Sequence, residues 1–258
     1  MRRIGFFDSG IGGLSVLRHA LEHIPDAEFL YVADSAYAPY GDRDRTWVQQ
    51  RSLYIARQLQ SQGIEALVIA CNTATALAAE AIREHLDIPV VAMEPAIKPA
   101  AAQTRSGRVA VLATATTLES QRYLDLKLRY AAGIELSEYA PHHWVEQIER
   151  GAHREEGFLD ALRQELSPML VREVDTWVLA CTHFPFIESQ LRQVVGEQAN
   201  IIDPAPAVTA ELVRRLSLRD EVTHGVPALR LLTSGDPQTV MQQASRFLGR
   251  EVVVDPFD

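Results

Sequence analysis

Leu67-Val68-Ile69-Ala70-Cys71-Asn72-Thr73 and Trp177-Val178-Leu179-Ala180-Cys181-Thr182-His183 are two versions of one segment, 110 residues apart. Each is a continuous apolar run of strand length that ends at a cysteine and passes into small polar residues. A strand without polar alternation is one buried on both faces. Three more landmarks recur in the same order. Ile4-Gly5-Phe6-Phe7-Asp8-Ser9 pairs with Val109-Ala110-Val111-Leu112-Ala113-Thr114, residues 29–33 more weakly with 136–140, and Glu94-Pro95-Ala96 with Asp203-Pro204-Ala205. Four ordered matches point to a duplicated unit rather than to coincidence.

Further strand-length apolar runs lie at 89–92, 230–232 and 252–254, beside those at 4–7, 29–32, 66–70, 109–113, 177–180 and 200–202. Between them the period changes to that of a helix: Leu14, Leu17, Leu21 and Ile24 stopped by Pro25, then Val48, Ser52, Ile55 and Leu59 stopped by Gly63. Strands alternating with helices predict an α/β fold with parallel sheets. The repeat divides it into two pseudo-symmetric lobes, 1–96 and 97–206, and by itself does not place 207–258. In open α/β sheets ligands bind beyond the carboxyl ends of strands, where every landmark sits. If the lobes face one another with the active site between them, their cysteines do too.

Composition narrows the function. A net charge of −9 excludes a basic nucleic-acid-binding surface, and 47% hydrophobic residues over 258 supply a sizeable core. The apolar run after Met1-Arg2-Arg3 ends at Asp8, too short for a signal peptide, and no stretch approaches the length of a membrane span. Cys71 and Cys181 are the only cysteines, which fits a reducing cytoplasm and not a disulfide scaffold. Neither nucleic acid nor membrane is therefore an expected partner.

The chemistry gathers at the strand ends. Asn72 or Thr73 is a good N-cap for the alanine-rich helix that follows Cys71, and Pro185 suits the first helical position after Cys181, with Thr182 or His183 near the cap. A helix N-terminus favours thiolate over thiol. Either cysteine alone reads equally well as a small buried apolar residue; occupying matched positions of a duplicated unit, both read as reactive. Asp8 and His183 are the titratable groups placed to tune them. Asp8-Ser9-Gly10-Ile11-Gly12-Gly13 lacks the spacing of a dinucleotide or P-loop fingerprint, and its glycines suit close approach of backbone N–H groups to a small anion. A zinc site built from Cys71, Cys181, His183 and Asp8 competes, without the usual Cys-x-x-Cys spacing, and so does a Cys-His hydrolase, which leaves the second cysteine unexplained.

Together these motifs resemble the glutamate racemase family, within the aspartate/glutamate racemase superfamily. The resemblance rests on Asp8-Ser9-Gly10-Ile11-Gly12-Gly13, Pro39-Tyr40-Gly41, Cys71-Asn72-Thr73-Ala74-Thr75, Glu94-Pro95-Ala96, Thr114-x-x-Thr117 and Cys181-Thr182-His183-Phe184-Pro185. It implies a cofactor-independent, metal-free enzyme that interconverts L- and D-glutamate for peptidoglycan synthesis, commonly a homodimer, with 207–258 returning to the first lobe. It implies Cys71 as the base toward D-glutamate and Cys181 toward L-glutamate, Asp8 assisting the first and His183 the second. Ser9, Pro39, Tyr40, Gly41, Asn72, Thr73, Thr114, Thr117 and Thr182 would hold the substrate. The family's further acid, which commonly follows Phe-Val-Pro-Leu-Val, falls on Glu149 after Trp144-Val145-Glu146-Gln147-Ile148. Here Ala140 stands where a cysteine often precedes the proline, and Pro141-His142-His143 is one residue longer than usual. Relatives controlled by a peptidoglycan precursor tend to carry an N-terminal extension. This chain enters its first strand by Ile4, so such control is not expected. An aspartate racemase and a non-catalytic glutamate-binding regulator are the competing readings.

Overall fold

Parallel strands need apolar cover on both faces and a crossover between each pair, so runs this apolar must be interleaved with helices. The computed structural model describes residues 2–217 and 226–258. Met1 and 218–225, parts of the segments expected in the first lobe, lie outside the described residues. The strands are β1 (Arg2–Asp8), β2 (Ala27–Ala33), β3 (Ala66–Ile69), β4 (Val90–Ala92), β5 (Arg108–Ala113), β6 (Glu135–Tyr139), β7 (Thr176–Ala180), β8 (Asn200–Ile202), β9 (Ala228–Thr233) and β10 (Val254–Pro256). They form two wholly parallel sheets, in the orders β10-β9-β2-β1-β3-β4 and β6-β5-β7-β8.

The chain divides into two compact units, Met1–Met93 with Ala205–Asp258, and Glu94–Pro204. The first holds the six-stranded sheet and the second the four-stranded one. The order β2-β1-β3-β4 repeats as β6-β5-β7-β8, so the duplication seen in sequence is a duplication of topology. In each unit the chain reverses direction across the sheet beside the first strand, at the β1/β3 boundary and again at β5/β7. Such a switch point opens a crevice at the carboxyl ends.

The helices follow from their spacing. The helix Leu14–His23 buries Leu14, Val16, Leu17 and Ala20 and stops before Pro25. Helix Arg45–Ser61 begins where the Asp44 carboxylate accepts the Trp47 N–H at 2.9 Å, buries Val48, Ser52, Ile55 and Leu59, and ends before Gly63, whose φ of +77° suits glycine. It packs on the helix Asn72–His85, and their apolar faces join Phe7, Val32, Leu67 and Ile69 in one core. In the second unit Ile97, Ala100 and Tyr123 close over Val109, Val111, Val178 and Ala180.

Two strands differ from the expected runs. The apolar run 252–254 does not form the last strand; β10 starts at Val254 and ends at Pro256. Its pairing with β9 leaves Val253 exposed, and as an edge strand it tolerates a proline that has no N–H to give. Strand β6 lies at the other sheet's edge, and its residues Glu135, Ser137 and Glu138 are not buried on both faces.

Gly13 stands where three neighbours crowd the backbone in the first unit. A Cβ there would stand 2.8 Å from the Tyr31 hydroxyl and 2.9 Å from both the Ala70 and Asp8 Cβ atoms. Gly13→Ala should therefore cost about 1–3 kcal/mol of stability, as overpacking of a rigid site does. Urea unfolding checks it; a variant as stable as the parent would show that the turn can relax.

Candidate active site

In the first unit β1 runs beside β3 with Phe7 opposite Ile69. Two residues further on, that register brings Ser9 opposite Cys71, and the Cys71 thiol lies 3.8 Å from the Ser9 hydroxyl oxygen. In the second unit Ala113 is opposite Ala180, and Thr114 and Cys181 are the next residues along the two strands. Each switch point thus holds a thiol beside a hydroxyl residue. Neither cysteine is in a disulfide, and both are buried, 5% and 6% exposed.

The helix after Cys71 starts one residue earlier than expected. Asn72 is already its first residue and Cys71 itself is the N-cap, its Sγ accepting the Ala74 N–H at 3.4 Å. Neither Asn72 nor Thr73 is the cap. The Cys71 Sγ atom therefore sits at the positive end of a fourteen-residue helix and takes one of its first N–H groups. Asn72 is left with a buried side chain whose amide oxygen and nitrogen have no hydrogen-bond partner among the described residues. A buried amide in that state is costly unless an ordered water or a ligand completes it.

Cys181 is served differently. Only a 3₁₀ turn, Phe184–Ile187, follows it, with His183 at the cap position making no side-chain cap bond, and the α-helix begins later, at Glu188. In place of a helix end stands a relay. His183 Nδ1 lies 3.9 Å from Cys181 Sγ, and Nε2 lies 2.7 Å from Glu149 Oε1. Burial works against the His183 charge, yet the hydrogen bonds and charges of Cys181 and Glu149 outweigh it and hold the imidazole well above its usual range. The helix Trp144–Arg150 that carries Glu149 is anchored by Trp144, which donates to Glu165 at 2.8 Å and packs edge-on against Phe184. Glu146, one turn away from Glu149, instead pairs with Arg150 at the surface.

Asp8 is fully buried, and its Oδ2 accepts the Gly13 N–H at 2.8 Å. That amide was expected to face a bound anion; the chain's own carboxylate takes it, as the start of the helix Leu14–His23 favours. Thr114 caps the short helix Ala115–Leu118, its hydroxyl 2.9 Å from that of Thr117. Thr73 and Thr182 are buried beside their cysteines. The loop after β2 carries Pro39, Tyr40 and Gly41. The Tyr40 ring is buried and its hydroxyl donates to Asp34 Oδ2 at 2.6 Å. Burial first, then the Asp34 charge and hydrogen bond, push the Tyr40 phenol far above its normal range, so it remains a donor.

Sequence reasoning passed over Asp34 and Arg51. Asp34 had a signal, since it follows β2 much as Asp8 ends β1. Arg51 had none, being a cation within an otherwise ordinary amphipathic helix. Among the described residues no group of three or more His, Cys, Asp or Glu side chains is arranged to hold a metal ion, and no helix is long and apolar enough to cross a membrane.

The Asp/Glu/Hydantoin racemase family model matches residues 15–212. The chain is 41% identical over 256 residues to a glutamate racemase of Ectopseudomonas mendocina, covering 98% of this chain and 97% of that one. Among solved structures it resembles a Bacillus anthracis glutamate racemase isoform, with a TM-score of 0.89 and 29% identity over 100% of this chain and 97% of the other. It also resembles the Escherichia coli glutamate racemase in complex with L-glutamate and the activator UDP-MurNAc-ala, with a TM-score of 0.88 and 30% identity over 99% of this chain and 98% of that one.

The His183–Glu149 contact has a pH signature. A histidine whose pKa is raised by folding contributes stability that is fully present below its unfolded value, about 6.5, and is lost as pH rises through the folded value. Glu149→Gln should thus be less stable than the parent at pH 6, by about 1.5–3 kcal/mol as for a hydrogen bond to a charged group, with the gap closing in alkali. Urea unfolding across that range is the check; a gap independent of pH would remove the imidazolium from the account.

Proposed function

The chain belongs to the Asp/Glu/Hydantoin racemase family, and we propose that within it this amino-acid racemase interconverts L- and D-glutamate with its two cysteines as base and acid. Near-full-length identity to glutamate racemases supports the substrate. One observation carries the mechanism: the same register, in two copies of one topology, sets a buried thiol beside a hydroxyl residue at each switch point.

Inverting Cα requires that a proton leave one face and another arrive at the opposite face. In the proposed reaction the Cys71 thiolate takes the Cα proton of D-glutamate, so that a C–H bond breaks and an S–H bond forms, leaving the electron pair on Cα. The Cys181 S–H then gives its proton to the other face, leaving a thiolate. From L-glutamate the roles exchange. The helix start at Ala74 stabilises the Cys71 thiolate, and the His183 imidazolium, held by Glu149, stabilises that of Cys181. Asp8 assists on the Cys71 side. Both thiols must change protonation state within one turnover, as a base and an acid that exchange roles do.

The substrate's carboxylates are received by neutral donors: Ser9, Asn72 and Thr73 with the Pro39-Tyr40-Gly41 turn, and Thr114, Thr117 and Thr182. Such donors gain strength as water leaves. The unpaired amide of Asn72 supports this role. Since the Tyr40 hydroxyl is engaged by Asp34, Tyr40 serves the substrate through its main chain. The proposal gives no step to a metal or organic cofactor. It places the enzyme in the cytoplasm, where thiols stay reduced and D-glutamate feeds peptidoglycan synthesis.

Circular dichroism of L-glutamate incubated with the purified protein tests the activity. The signal should decay with or without chelator and at least about ten-fold faster than that of L-aspartate, the discrimination a missing methylene allows. Faster decay with aspartate would move the substrate, and loss on chelation restored by zinc would replace the thiol mechanism with a metal one.

The helper residues should act asymmetrically. His183→Asn should lower kcat by on the order of 10² and more from L- than from D-glutamate, with Asp8→Asn showing the opposite bias. Because the equilibrium constant is unity, kcat/KM must fall equally in both directions, and the bias appears in kcat and KM separately. Equal kcat losses in both directions for both variants would detach each helper from its cysteine.

A further inference from the structure

Tyr40 is the end of a chain of contacts that the reaction itself does not use. The Asp34 carboxylate, 0% exposed, accepts the Tyr40 hydroxyl at 2.6 Å and is gripped at both oxygens by Arg51, Nε to Oδ2 at 3.0 Å and Nη2 to Oδ1 at 2.7 Å. Arg51 is in turn enclosed by aromatic faces. Its guanidinium carbon lies 4.8 Å from the ring centre of Tyr37, 5.1 Å from that of Tyr54 and 5.7 Å from that of Phe257. Phe257 is itself fixed, its N–H donating to Thr233 at 2.7 Å and its ring meeting Tyr54 edge-on.

We infer that Arg51 and Asp34 are positioning residues for substrate binding, holding the Pro39-Tyr40-Gly41 turn in place through the Tyr40 hydroxyl from a caged, two-pronged ion pair. The inference rests on the proposed role of that turn. Three features separate it from ordinary core packing. A carboxylate this deeply buried is excluded unless a cation pairs with it, and a planar guanidinium matched to two oxygens fixes its direction where a lysine would not. The aromatic faces hold the guanidinium plane without using any of its donors, so all of its directionality is spent on Asp34. The remaining acceptor capacity of Asp34 goes to Tyr40, whose phenol burial and the adjacent charge keep protonated and donating. No hydrogen bond in this chain of contacts ends on Cys71, although the Tyr40 hydroxyl is near enough to feel the charge of the Cys71 thiolate. The effect of these contacts is on where the main chain of Tyr40 and Gly41 stands, and therefore on ground-state and transition-state binding alike.

The test combines hydrogen–deuterium exchange over residues 39–43 with kcat and KM in both directions, for Arg51→Met, Arg51→Lys and Tyr40→Phe of the full chain. Exchange of the segment should quicken by about ten-fold or more in Arg51→Met and measurably in Tyr40→Phe, while exchange in β1 and β3 stays at the parental rate. For Arg51→Met, KM should rise about ten-fold for both enantiomers with kcat within about three-fold, and Arg51→Lys should fall between it and the parent. Tyr40→Phe leaves the ion pair intact and removes one hydroxyl, so it decides the matter with Arg51→Lys even where Arg51→Met does not fold. Parental exchange and parental KM in Tyr40→Phe, or a lower melting temperature with unchanged KM in the Arg51 variants, would overturn the inference. A parent that turns over no glutamate would instead sink the functional reading, and the exchange data would still decide whether the pair holds the turn.

Discussion

Where the first unit's sheet stops, burial does not. Asp8 at the end of β1, Asp34 just past β2 and Cys71 just past β3 are each at most 5% exposed, on three neighbouring strands. Left unpartnered, a buried polar group costs about 1–3 kcal/mol, and an unpaired charge more. Each must therefore be satisfied from within, and the surrounding structure is arranged to do so. Gly13 turns tightly enough to bring its N–H to Asp8, the helix Arg45–Ser61 delivers Arg51 to Asp34, and the helix Asn72–His85 begins on Cys71 so that Ala74 can donate to it. The same apolar runs that make the strands fold create the buried strand ends at which these polar groups are held in place.

The second unit repeats the topology and not the electrostatics. Its four-strand order and register copy the first, down to a hydroxyl residue opposite a cysteine. Yet Cys71 is served by a helix N-terminus, whereas Cys181 is followed only by a 3₁₀ turn and depends on His183 and, through it, Glu149. For the proposed racemisation the difference is useful. The two thiols need to exchange roles with the direction of reaction, and each has a stabilising partner of its own. A backbone dipole does not titrate, while an imidazolium does, so the pH dependence of the reaction should carry the mark of the second unit more than of the first.

Much of this was legible because it is periodic or repeated. The continuous apolar runs around Phe6, Val68, Val111 and Val178 announced buried parallel strands, and strands occupy them. The shift of the last strand to Val254–Pro256 was not legible, because register against β9 outweighs the apolarity of Val252 and Val253. The cysteines stood out through the repeat. Which residue caps the helix after Cys71 did not, since Asn72 and Thr73 are better caps by propensity and only the strand's end point decides. Glu149 was reachable only through resemblance; its contact with His183 spans 34 residues and two elements with no shared period. Arg51 was invisible for the same reason. Its partner Asp34 lies before the helix, and the aromatic cage is completed by Phe257 from the far end of the sequence.

The claim on which the rest turns is that two thiols, not one base, invert Cα. In deuterated water, an acid thiol that has exchanged with solvent gives deuterium to product, while a base thiol that returns its proton restores unlabelled substrate. Mass spectrometry of the first product formed, from L-glutamate and then from D-glutamate, reads this directly. The account requires product carrying deuterium at Cα almost completely in both directions, with the unconverted enantiomer largely unlabelled. Early product that keeps its original hydrogen in either direction would contradict it, because only a single base passing the proton across both faces would leave that label in place.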